Sequence, residues 1–265
     1  MAKKTILVVS FGTSFQETRE KTIDALEKAV AAKYPDWDVR RAFTSKMIIK
    51  KLKERDGLFI DYIDEAFQRL VDDGVKEVIV MPTHVMNGIE FDDVARITGQ
   101  FADKFDSVKI TKPLLTAEED YDAVIEAMNG AYLKRIFKDA SNGKAVVFMG
   151  HGTVHYANAC YCELQMKLFS LGYEHVYVTT VEGFPEVEDT MRLMSGHKYS
   201  KVYLAPFMLV AGDHAVNDMA GDDDDTLKSK FIAAGCEVEC LIEGLGEHKE
   251  FQDLFLKHLS DAMEN

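Results

Sequence analysis

A chain of 265 residues, 47% hydrophobic and 29% charged, has room for one large domain or two of roughly 130 residues, with a well-filled core. Its formal net charge of −14, from 31 basic and 45 acidic residues, argues against nucleic acid and anionic membrane as partners. No window of about 20 apolar residues exists to span a bilayer.

Met1-Ala2-Lys3-Lys4 leads directly into Thr5-Ile6-Leu7-Val8-Val9-Ser10. That run is too short for a signal peptide and ends in no small-residue cleavage site, so it reads as the first strand, residues 6–10, and a cytoplasmic location is expected. Phe11-Gly12-Thr13-Ser14 follows, then an amphipathic helix over 16–33, with Ser14 and Glu17 in a capping-box pattern and Pro35 as its stop. Residues 37–43 read as a strand and 44–52 as a helix broken at Asp56-Gly57. A helix over 62–72 closes at Gly74, and a strand over 75–81 leads to the loop 82–88. A helix is predicted over 90–101, a strand over 108–111 and a long helix over 118–137. The linker is Ala140-Ser141-Asn142-Gly143.

The second half repeats the scheme. Strands are predicted over 145–149, 176–180, 201–205 and 237–242. Helices are predicted over 158–171, 184–194, 225–234 and 247–262, and the loop 206–214 follows the third strand. Strand and helix alternate throughout, which predicts an α/β fold with parallel sheets, in two units, 1–139 and 144–265. Two landmarks recur between the halves. Ser10-Phe11-Gly12-Thr13 matches Gly150-His151-Gly152-Thr153, each after an apolar strand. Pro82, Gly88 and Glu90 match Pro206, Gly212 and His214 at the same offsets. A duplicated α/β unit is therefore expected, with a cleft between the halves.

Val146-Val147-Phe148-Met149 runs straight into Gly150-His151-Gly152-Thr153. Four apolar residues fit a strand buried on both faces, and the flanking glycines let backbone and imidazole approach a ligand. His151 then sits just past a strand's carboxyl end, where α/β sheets bind ligands. Two further strand-end loops of the same half offer Glu182 and His214. Neighbouring parallel strands lie about 4.8 Å apart, so their ends can deliver side chains to one point. Two imidazoles and one carboxylate suit Co²⁺, Ni²⁺, Fe²⁺ or Zn²⁺, and three protein ligands leave positions open for exchange. The plainer alternatives are a packed strand-end histidine for His151, a helix N-terminal acid for Glu182 and a surface histidine for His214.

On the matching first-half loop lie His84 and Glu90, the latter a candidate proton acceptor or, more plainly, a helix N-terminal acid. His155, four residues after His151, reads as a helix-start residue or a support for the site. The run Asp222-Asp223-Asp224-Asp225 reads as a solvated cap. Cys160, Cys162, Cys236 and Cys240 match neither common zinc spacing well and are expected to be reduced thiols. Between Arg40 and Arg55 stand seven basic residues against the single acid Glu54. This is either an exposed basic face or a grip on substrate carboxylates, helped by Thr13, Ser14, Thr44 and Ser45. No G-x-G-x-x-G and no P-loop is present, so no nucleotide is expected.

Val8-Val9-Ser10-Phe11-Gly12-Thr13-Ser14, Ala42-Phe43-Thr44-Ser45, Phe148-Met149-Gly150-His151-Gly152 and Leu209-Val210-Ala211-Gly212-Asp213-His214-Ala215-Val216-Asn217-Asp218-Met219 carry a family likeness. Together the four segments resemble the anaerobic cobalt chelatases of the CbiK type, across essentially the whole chain. The resemblance implies a class II chelatase fold of two similar α/β halves, each a parallel sheet flanked by helices, with the active site between them. It implies insertion of Co²⁺ into sirohydrochlorin, without ATP, on the oxygen-independent route to cobalamin. It carries over His151 as metal ligand and proton acceptor, Glu182 and His214 as the other ligands, and Glu90 as a further acidic site position. Ser10, Phe11, Gly12, Thr13, Ser14, Ser45, His84 and Gly88 are taken as substrate-binding. Some members are exported and bind haem; without their leader, no haem is expected here. Iron insertion toward sirohaem, nickel as the metal, a metal or tetrapyrrole carrier, and a metallohydrolase remain as alternatives, and a homo-oligomer stays open.

Overall fold

The computed structural model describes residues 3–138 and 143–264. Among them run β1 (Lys4–Ser10), β2 (Asp38–Phe43), β3 (Glu77–Pro82), β4 (Ser107–Ile110), β5 (Lys144–Gly150), β6 (Val176–Thr180), β7 (Lys201–Pro206) and β8 (Glu237–Cys240). They form two four-stranded sheets, ordered β2-β1-β3-β4 and β6-β5-β7-β8. Every pairing is parallel. Parallel neighbours require crossovers, and helices supply them. The expected α/β class with two similar halves is the one the chain adopts.

The two central strands explain the apolar runs. Ile6, Leu7, Val8 and Val9 of β1, and Ala145 to Met149 of β5, are wholly buried. Such strands need apolar side chains on both faces because helices cover both. Alternation then sorts the faces. Leu7 and Val9 pack with Phe67 and Leu70 of the helix Ile63–Asp72 and with Val94 and Ile97 of the helix Ile89–Phe101. Val147 and Met149 pack with Val187 and Met194 of Val187–Met194 and with Leu227 and Phe231 of Leu227–Ala233.

The sequence landmarks shared by the halves occupy equivalent places. Val9 is in register with Pro82, and Met149 with Pro206. Thr83 N donates to Val9 O at 2.9 Å, and Phe207 N to Met149 O at 2.7 Å. Gly12 and Gly152 both take positive φ, +98° and +80°.

The units divide differently from the expected 1–139 and 144–265. One comprises Met1–Thr116 with Gln252–Asn265, the other Ala117–Phe251. The helix Glu118–Met128 belongs to the second unit, where Lys167 Nζ reaches Asp122 at 3.0 Å. Most of the last helix, Lys249–Glu264, belongs to the first. There Ser260 Oγ meets Lys33 Nζ at 2.9 Å and the Tyr34 hydroxyl at 2.7 Å. Of the expected linker, Ala140-Ser141-Asn142 lies outside the described residues.

Local corrections follow from side-chain competition. The helix expected over 16–33 is two, Gln16–Lys21 and Ile23–Lys33. They part at Thr22, whose hydroxyl bonds back to Thr18 O at 2.6 Å and bends the chain. Ser14 is not the cap; Phe15 takes that place, without a side-chain capping bond. The helix expected over 118–137 passes through a π-helical segment, Asn129–Leu133. No helix among the described residues is long and apolar enough to cross a membrane.

Phe148 lies beneath the His151 loop, edge-on to Tyr132 at 5.3 Å and to Phe207 at 6.3 Å, and fully buried. Phe148→Ala is expected to cost about 3–5 kcal/mol, read as a lower urea midpoint for the second unit.

Candidate functional site

In the second sheet β5 has β6 on one side and β7 on the other. Connections leaving the two sides diverge, and the carboxyl ends of these strands are where such sheets bind ligands. All three candidate ligands emerge there. His151 follows β5, Glu182 lies two residues past β6, and His214 ends the loop after β7. Backbone bonds carry the ladder past the strands: Val181 N reaches Gly150 O at 3.1 Å and Glu182 N reaches His151 O at 2.8 Å. Glu182 is thus tied to the His151 backbone.

The glycines permit this closeness. A Cβ on Gly150 would fall 2.3 Å from the Tyr161 ring, and one on Gly152 would fall 2.6 Å from Gly183 N. Gly152 also needs its positive φ, which L side chains rarely adopt.

The imidazoles of His151 and His214 meet edge to face, centroids 4.8 Å apart and planes at 88°. His151 Nδ1 stands 4.0 Å from Glu182 Oε2. One ligand atom from each of the three residues lies within 4.8 Å of the others. Ligand atoms on a tetrahedral ion with bonds near 2.1 Å are about 3.4 Å apart. The triad therefore needs to draw in by about 1 Å, within the reach of side-chain rotation. His214 Nδ1 lies 2.7 Å from Asp218 Oδ2, and His151 Nδ1 lies 2.9 Å from Gly152 O. An acceptor opposite Nδ1 keeps the proton there and leaves the Nε2 lone pair for an ion.

The plainer reading of Glu182 fails. The next helix starts at Val187 with Glu186 as N-cap, and Asp189 closes that turn by accepting from Glu186 N at 3.0 Å. His155 keeps to its local role: it caps a short turn, its Nδ1 accepting from Ala157 N at 3.2 Å. The acidic run 222–225 does not cap the helix that follows; Thr226 does, through Ser229 N. No cysteine joins a group of three converging metal-ligand side chains among the described residues. Burial raises all four thiols, Cys160 to about 12.

The first unit gathers its candidates at the equivalent strand ends. Ser10, Thr13, Ser14 and Ser45 are buried, and three of their hydroxyls have partners inside the protein. Thr83 Oγ1 donates to Ser10 Oγ at 3.0 Å, Thr13 Oγ1 accepts from Phe15 N at 3.2 Å, and Ser45 Oγ caps Ile48 N at 3.3 Å. Gly12 passes under the Phe43 ring, where a Cβ would sit at 2.4 Å, and Phe11 points outward. Gly88 caps the helix that carries Glu90. The basic stretch is largely neutralised at its arginines. Arg40 pairs with Asp38 and Asp73, Arg41 with Asp24 and Glu27, and Arg55 with Asp56. Lys46 lies over Tyr62 and Lys53 over Phe59.

His84 stands apart. Both ring nitrogens are buried and meet no hydrogen-bond partner among the described residues. Burial pushes its pKa down to about 4, against the opposing pull of Glu90.

The model of the cobalt chelatase (CbiK) family matches residues 4–264. The chain belongs to this family. It is 40% identical to the sirohydrochlorin cobaltochelatase of Salmonella typhimurium over 261 residues, 98% of this chain and 97% of that one. It is 30% identical to the sirohydrochlorin cobaltochelatase CbiKC of Nitratidesulfovibrio vulgaris over 269 residues, 99% of this chain and 92% of that one. The fold is also that of SirB from Bacillus subtilis with Fe³⁺. That likeness has a TM-score of 0.64 at 15% identity and covers 98% of this chain and 95% of the other.

Sequence reading missed two features around the cluster of His151, Glu182 and His214. Asp218 is one, although its spacing of four from His214 is a helical neighbour's spacing; the π-helical turn Ala215–Met219 was not foreseen. The other is a set of exposed apolar side chains beside each ligand in sequence: Val154 and Tyr156 after His151, Phe184 after Glu182, and Val216 after His214.

Two outcomes are expected. Asp218→Ala should weaken Co²⁺ binding by about 10–100-fold, measured by calorimetric titration, with the fold retained by circular dichroism. For His84, the unfolded chain takes up a proton below about 6.5, which the folded chain refuses until about 4. Stability from this group is therefore full above about 6.5 and falls as pH drops toward 4. Urea midpoints across that window should fall less steeply in His84→Asn than in the parent protein.

Proposed function

We propose that this chain inserts Co²⁺ into sirohydrochlorin without nucleotide hydrolysis. The convergence of His151, Glu182 and His214 on one point carries this reading, in a chain whose relatives bear the name sirohydrochlorin cobaltochelatase.

The chemistry exchanges one divalent cation for two pyrrole protons, so charge balances across the step. Two neutral imidazoles and one carboxylate hold the ion through three bonds and leave positions for the ring nitrogens. As those nitrogens take the ion, the protein's ligands let go one by one. An imidazole nitrogen cannot hold metal and proton at once, so His151 accepts a pyrrole proton only after releasing the ion. Glu90 is assigned to further proton uptake. The loop Ser10 to Ser14, with Ser45, His84 and Gly88, is assigned to substrate contact. The Ser10, Thr13 and Ser45 oxygens accept bonds inside the protein and keep their O–H donors for the substrate, beside backbone groups and Phe11. The exposed Val154, Tyr156, Phe184 and Val216 suit the apolar faces of a macrocycle.

The donor set is borderline in softness and also accepts Fe²⁺ and Ni²⁺, so metal supply decides among them. Anoxic incubation of the protein with sirohydrochlorin and excess Co²⁺ should give many turnovers per chain, followed by the change in tetrapyrrole absorption. His151→Ala and His214→Ala should each reduce the rate to the uncatalysed level while circular dichroism is unchanged. A product yield that stops at one equivalent would mark a carrier instead.

A further inference from the structure

We infer that Asn158 is a positioning residue that joins the His151 loop to the Glu182 loop and sets where the Glu182 carboxylate stands. The inference rests on the reading of His151, Glu182 and His214 as the cobalt site.

Asn158 precedes the helix Ala159–Ser170, a place where asparagine commonly caps with its side chain. Here it makes no capping bond. Its amide instead turns toward the site loops. Asn158 Oδ1 accepts from Thr153 N at 3.0 Å, and Asn158 Nδ2 donates to Phe184 O at 2.7 Å. One planar group thus engages a residue two after His151 and a residue two after Glu182. Its donor and acceptor are both used, which fixes the orientation of the amide. Gly183 lies against it: a Cβ there would fall 2.3 Å from Asn158 Oδ1.

The other anchors of the Glu182 loop act elsewhere. On the amino side, Val181 N and Glu182 N bond to Gly150 O and His151 O. On the far side, Pro185 O accepts from Thr180 N at 2.8 Å and from the Thr180 hydroxyl at 3.2 Å. Both sets fold the loop back on its own sheet. The side chain of Asn158 acts between them, on the Thr153 turn and on Phe184. The Glu182 side chain is 59% exposed, so packing alone does little to hold its direction. Without the amide, Gly183 and Phe184 lose a tether, and the carboxylate must be ordered at the moment of metal binding. That ordering cost appears as weaker metal affinity.

The test compares the parent protein with Asn158→Ala, Asn158→Asp, Glu182→Ala and the double variant Asn158→Ala/Glu182→Ala. Co²⁺ binding is followed by titration and by the visible absorption of the bound ion. Asn158→Ala should raise the Kd for Co²⁺ by about tenfold and raise KM for Co²⁺, with KM for sirohydrochlorin unchanged. Asn158→Asp keeps the acceptor for Thr153 N but sets a second oxygen against Phe184 O, so it should lose as much. In the Glu182→Ala background, removal of the amide should change nothing further, because the group it positions is gone. Parent-like Co²⁺ affinity in both single Asn158 variants overturns the inference. So does an additive loss in the double variant. If Glu182→Ala itself binds Co²⁺ like the parent, the three-ligand reading falls, whatever the Asn158 variants do.

Discussion

A parallel strand buried on both faces can show polar side chains only beyond its ends. β1 follows this constraint from Ile6 to Val9 and β5 from Ala145 to Met149, where every residue is apolar and wholly buried. Chemistry in this chain is therefore confined to strand-end loops. The order β6-β5-β7 puts three such loops side by side. The glycines around His151 allow the backbones to touch, and the ladder bond from Glu182 N to His151 O holds Glu182 beside His151. Change the strand order and the same three side chains do not meet.

The two halves share a frame and differ in what their loops carry. Where the second half has His151 on a glycine-flanked turn, the first has Phe11 beside Gly12. Where the second has His214, the first has Glu90. One sheet end offers imidazoles with their protons held on Nδ1, as a soft-to-borderline cation requires. The other offers an outward aromatic ring and hydroxyls directed inward to backbone and side-chain partners.

Much of this was legible in the sequence. All eight strands fall within a few residues of the expected bounds; the apolar runs of β1 and β5 reflect burial on both faces, whereas the edge strands β2, β4 and β8 are only partly buried. The candidate ligands stood out because glycines beside a strand-end histidine have few other uses, and because the motif around His214 is distinctive. What was not legible depends on partners far along the chain or on a single competing bond. Thr22 divides a helix by bonding back to Thr18 O, and periodicity does not reveal that. Nor does spacing reveal that Ser45 and Thr13 also accept from Ile48 N and Phe15 N. Asp218 and Asn158 act through groups that only the folded loops bring near.

The exchange of helices between the units has a bearing on biogenesis. Residues 252–264 help complete the first unit yet leave the ribosome after the whole of the second. During synthesis the first unit waits for its last segment while some 135 residues are added. Closing that contact joins segments at opposite ends of the polypeptide, a high-contact-order step that slows maturation and lengthens exposure to chaperones and proteases.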